Sequence, residues 1–111
     1  MIKQQLKEKI RLWSLRRSAA ENDLETLSAQ LRTIVPDISQ QESCEQIVYD
    51  EYWELKRRTL QAFQCRMMLR ALENCDGGAL TVVDIGDSAG THMIYLRELT
   101  KDQFDIDTIS V

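Results

Sequence analysis

One short stretch constrains this chain more than any other: Leu80-Thr81-Val82-Val83-Asp84-Ile85, followed by Gly86-Asp87-Ser88-Ala89-Gly90-Thr91. The first six residues form an apolar, β-branched run that suits a buried strand of a parallel sheet. The next five are small or acidic, and such a turn lets backbone amides approach a ligand closely. Thr91 to Lys101, with Met93, Ile94, Leu96 and Leu99 apolar, predicts a helix, and Ile106 to Val111 predicts a second strand. Strand, glycine turn, helix and strand make one βαβ unit, which places the chain in the α/β class. Ligands of open α/β sheets bind at the carboxyl ends of the strands. A helix starting near Thr91 would aim its first amides at that crevice.

The spacing of the glycines narrows the choice of ligand. A dinucleotide fingerprint, G-x-G-x-x-G, counted from Gly86 would need glycine at Ser88 and at Thr91, so it fails twice. A phosphate-binding P-loop needs a terminal Gly-Lys-Ser/Thr, which is absent. The pattern D-x-G-x-x-x-G is instead similar to motif I of the class I S-adenosylmethionine (SAM) methyltransferases, through Val82, Val83, Asp84, Gly86 and Gly90. Ser88 stands where the family more often has a middle glycine. The resemblance implies a Rossmann-like sheet with the acidic strand end and the glycine turn as the floor of the SAM site. It implies cofactor contacts from Asp84, Gly86, Asp87, Ser88, Ala89 and Gly90, with His92 beside the turn. For Asp87 and His92, a solvated turn position is the favoured role. No general base can be named, and the methyl acceptor is unidentified.

The residues before the motif read as helical. With Ile10 as a heptad a position, the a series is Lys3, Ile10, Arg17, Leu24, Leu31 and the d series is Leu6, Trp13, Ala20, Leu27, Ile34. That register predicts one long helix over about 2–35, ended by Pro36. Its seam calls for a partner, either a later helix of the same chain or a second copy, and the two stand level. Ser39-Gln40-Gln41-Glu42 has the form of a capping box, and a second helix is expected over about 40–75, closed by Gly77-Gly78. Along it, Val48, Tyr52, Leu55, Thr59, Ala62, Arg66 and Leu69 keep the three-four spacing. Tyr49, Tyr52 and Trp53 are better read as core or interface than as a substrate pocket. The expected organisation is therefore a helical region 1–78 and the start of a SAM-binding domain at 79–111.

Charge and cysteine usage limit the partners. Residues 1–17 carry six bases against Glu8 alone, so the net −4 leaves the remainder at −9. An acidic body argues against a nucleic-acid binder. The basic first segment could meet phosphate or a membrane surface, but a solvated helix face is preferred. No apolar run reaches the roughly 20 residues of a membrane span, and cytoplasmic residence is the default. Cys44, Cys65 and Cys75 make no C-x-x-C pair and read as reduced thiols; with a single histidine, a zinc site has no support.

In the resembled family an acidic residue at the end of the second strand clamps the ribose, and the expectation is that this position falls beyond the second strand, Ile106 to Val111, as given. Two parallel strands also bury too little surface to stand alone. The expectation is the N-terminal portion of a longer methyltransferase. The alternatives are a non-catalytic helical coiled-coil module with a vestigial nucleotide-binding tail, and a domain using the same turn for another nucleotide.

Overall fold

A computed structural model describes residues 2–37, 51–86 and 90–111. Its elements are α1 (Ile2–Glu21), α2 (Glu25–Ile34), α3 (Glu51–Leu72), β1 (Gly78–Asp84), α4 (Thr91–Thr100) and β2 (Phe104–Ser110). The chain is thus mixed α/β, with four helices and a two-stranded parallel sheet among the described residues. The capping box Ser39–Glu42 and Tyr49 lie outside the described residues.

The expected helix over 2–35 is two helices. Asp23 takes φ 56°, the left-handed region. The Leu24 amide donates to Ala19 O at 2.9 Å and the Asp23 amide to Ala20 O at 3.1 Å, the paired bonds of a Schellman ending. Asn22 Nδ2 donates to Ser18 O at 2.8 Å, and the Arg66 guanidinium reaches back from α3 to donate to Asn22 O. Asn22-Asp23 are poor helix formers that bond their own backbone readily. The heptad pattern ran across them because Leu24 fits a seam and a Schellman apolar residue equally well. If the left-handed cap is right, Asp23→Gly should be more stable than Asp23→Ala by about 1 kcal/mol. A continuous helix would reverse that order, by about 1 kcal/mol in alanine's favour. Urea denaturation of the two variants distinguishes them.

The break redirects the seam. Leu24 and Leu31 turn inward and join Val35, Ala62, Cys65 and Tyr95 in one buried cluster. Leu6, Ile10 and Trp13 stay exposed, whereas Leu12 and Leu15 are half-buried and Ala19 is buried on another side of α1, which contacts α3. On α3 the inward stripe is also rotated from the expected one. Arg58, Gln61, Ala62 and Cys65 are buried, while Phe63 and Met67 face out. The helix ends at Leu72, before Gly77-Gly78, in a turn where the Cys75 amide donates to Leu72 O at 2.9 Å. Gly78 instead opens β1 with φ 121°.

The βαβ unit is present, with both strands starting two residues and ending one residue earlier than expected. β1 and β2 pair in parallel from Gly78↔Phe104 to Asp84↔Ser110. Their inner face carries Leu80, Val82, Phe104 and Ile106 against Met93 and Leu96 of α4 and Leu69 and Leu72 of α3. Met68 touches both clusters and joins the helical layer to the sheet. The strand expected to be buried on both faces is covered on one, for Val83 and Ile109 are exposed on the other.

Candidate functional site at the end of the first strand

Alternation along β1 sends Leu80, Val82 and Asp84 to the helix-covered side, so Asp84 ends the strand half-buried. The parallel ladder continues one step beyond it: the Val111 amide donates to Asp84 O at 2.9 Å and the Gly86 amide to Val111 O at 3.3 Å. Gly86 then adopts φ 88°, and Gly90, the residue before α4, adopts φ 72° and ψ 12°. Both lie where an L side chain is strained, so the turn is entered and left through glycine. Among the described residues, a Cβ built on either would meet nothing within 4 Å. The glycines are therefore needed for backbone direction.

α4 starts with no side-chain cap, and its first intrahelical bond runs from the Ile94 amide to Gly90 O at 3.0 Å. The amides of Thr91, His92 and Met93 precede that bond, at the positive end of the helix. The sequence motif thus brings Asp84, Gly86 and Gly90 to one strand end and helix start. Asp87, Ser88 and Ala89 lie outside the described residues. His92, half-buried, holds Gln64 Oε1 of α3 at 2.6 Å through Nε2 and is tied into the helix packing. Comparison of the chain with protein-family models, with curated proteins and with solved structures finds no match. The chemistry of the turn has to be read from its own geometry.

Sequence reasoning overlooked the group that positions α4. Arg58 is fully buried, and its guanidinium donates to Leu31 O at 3.3 Å, Pro36 O at 3.1 Å, Val35 O, and Tyr95 Oη at 3.0 Å. Tyr95 in turn donates to Gln61 Oε1 at 2.8 Å. A cation here satisfies the carbonyls at the negative end of α2 and links α2, α3 and α4. Burial raises the Tyr95 phenol above its ordinary range, against the opposing pull of Arg58. The signal available in the sequence was position: Arg58 lies four residues before Ala62, in line with Cys65, while an exposed role is the usual one for arginine.

Cys65 lies in the same core. Desolvation pushes its thiol up to about 12, so it stays protonated at neutral pH, whereas Cys75 is exposed. At pH 8 Cys65 should alkylate on the order of 1,000-fold more slowly than an unperturbed cysteine, the ratio set by its lost thiolate. Peptide mapping after iodoacetamide, with and without urea, checks this; urea should abolish the protection.

A separate groove of about 660 Å³ runs between α1 and the start of α3, lined by Lys9, Leu12, Tyr52 and Trp53 among others. Tyr52 and Trp53 stack edge to face at 5.9 Å, with Lys56 Nζ 4.7 Å above the Trp53 ring. The rings are half-buried.

Proposed function

We propose that the β1–α4–β2 unit is the SAM-binding segment of a class I methyltransferase acting on an unidentified acceptor. The observation that carries the reading is the pair of left-handed glycines, Gly86 and Gly90, bracketing the turn between the Asp84 end of a parallel strand and the start of α4. The residues present fit such a cofactor, because among the described residues no atom crowds either glycine and the positive end of α4 lies beside them. Gly86 and Gly90 would let backbone come within contact distance, and Asp84 would place a carboxylate under the nucleoside side of the site. The positive end of α4 would favour a polar, electron-rich group of the cofactor. When bound, SAM supplies an electrophilic methyl on sulfonium, and the protein's share is positioning. A helical interaction module is the second reading, supported by the α1 face left bare by the break at Asn22–Leu24.

A site formed from one strand end should bind weakly, with a dissociation constant on the order of 1 mM, about −4 kcal/mol. Titration of the chain with SAM, followed by amide NMR shifts, tests the reading. Shifts centred on Gly86 and on Gly90 to Met93, reduced in Asp84→Ala and competed by S-adenosylhomocysteine more strongly than by ATP, support it. Shifts elsewhere, equal competition by ATP, or none at all would overturn it.

A further inference from the structure

The first half of α1 is exposed on every side, and its apolar residues are not scattered. Ile2, Leu6, Ile10 and Trp13, spaced four, four and three apart, form one stripe whose members are 54–82% exposed. At roughly 100° per residue the stripe spans an arc of about 80°. It lies away from the side of α1 on which Leu12 and Leu15 are half-buried and Ala19 is buried. Isolated exposed apolar residues need no explanation, but a contiguous row along a helix marks a contact surface.

The charges around the row say what kind of surface it fits. Lys3 and Lys7 border it on one side and Lys9 and Arg16 on the other, the latter also paired with Glu51. Arg17 stacks over Trp13 at 5.4 Å and pairs with Glu21 at 2.8 Å. Glu8 is the sole acid before residue 18, and it lines the groove toward α3 rather than the stripe. Two copies docked through this face would set lysines against lysines, which like-charge repulsion disfavours. The complement is a broad negative surface with an apolar interior. Lysine and arginine on both flanks can lay their stems along such a boundary and keep their heads at the phosphate level, and tryptophan favours the same depth.

From this charge complementarity we infer that α1 is an interfacial helix that docks the protein on an anionic lipid surface through Ile2, Leu6, Ile10 and Trp13. The helix lies on the bilayer, because no described helix is long and apolar enough to cross one. Salt screens charges beyond a Debye length of about 8 Å at physiological ionic strength, and of the acids close to α1, Glu21 and Glu51 are each paired with an arginine of that helix. The inference is independent of the SAM reading.

The test is co-sedimentation of the full chain with phosphatidylcholine vesicles containing about 30% phosphatidylserine, against phosphatidylcholine alone, at about 0.1 M salt. The expected result is at least tenfold greater partitioning onto the anionic vesicles, lost in about 0.5 M salt. Leu6→Glu/Ile10→Glu and Lys3→Glu/Lys7→Glu/Lys9→Glu should each abolish it. Those side chains are exposed, so circular dichroism of both variants should match the parent. Absence of partitioning, equal partitioning onto neutral vesicles, or unchanged partitioning of either variant would overturn the proposal. Absence of lipid binding together with a stable complex with a Glu-flanked heptad peptide would assign the stripe to an acidic helix instead.

Discussion

Replacing Arg58 with methionine should lower the stability of the fold by about 3–5 kcal/mol, despite the similar length and better hydropathy of the new side chain. The guanidinium bonds three carbonyls at the end of α2 and the Tyr95 hydroxyl from a position with no solvent exposure. Methionine would leave Val35 O and the Tyr95 hydroxyl without this donor and Leu31 O with the Val35 amide alone, and each buried group that loses its partner costs about 1–3 kcal/mol. Arg58→Lys should fall between, because one ammonium cannot span the spread of a planar fork. Arg70→Met, on the exposed side of the same helix, should stay within about 0.5 kcal/mol of the parent. Urea midpoints at constant m-value are the measurement. Against a total stability of roughly 5–15 kcal/mol, the Arg58→Met loss would be a large share. A midpoint shift no larger than that of Arg70→Met would show that the cap contributes little.

The same core should make the fold sensitive to alkali. Cys65 and Tyr95 both titrate higher when folded, so burial of their neutral forms stabilises fully at low and neutral pH. As pH rises past the ordinary thiol range toward about 12, the unfolded chain releases protons first and stability falls.

The parts of this architecture that the amino-acid sequence made readable are those where local pattern and tertiary outcome coincide. The βαβ unit is one. Val82-Val83, the small-residue turn and the apolar positions of Thr91–Thr100 each favour the element they form, and the strand register follows. The helical half was readable in content and not in layout. Heptad spacing is blind to a cap that keeps the period, so Leu24 looked like seam when it is the apolar residue of a Schellman ending. Arg58 was hidden for a different reason. Its burial is favourable only because α2 stops at Pro36 with carbonyls to satisfy, a condition created by a residue 22 positions away. Of the candidate site, the glycines were legible because left-handed backbone restricts side chains so strongly. His92 was not, since its partner Gln64 comes from another helix.

Asparagine at Gly86 or Gly90 should separate the backbone role of these glycines from any role in binding. Asparagine enters the left-handed region at low cost, so Gly86→Asn and Gly90→Asn should each destabilise by less than about 1 kcal/mol. Among the described residues nothing lies within 4 Å of a Cβ at either position. A bound SAM, however, would occupy that space, and either variant should weaken its binding at least tenfold, about 1.4 kcal/mol. Gly86→Val is the harsher change: a β-branched residue at φ 88° is a backbone outlier that costs about 1–3 kcal/mol in addition to closing the site. The asparagine pair therefore carries the decision. Folded variants that no longer shift the Gly90–Met93 amides with SAM would locate the cofactor against the turn. Folded variants that bind as the parent does would leave Gly86 and Gly90 as chain-direction residues alone, and the similarity to motif I would then describe a turn rather than a cofactor site.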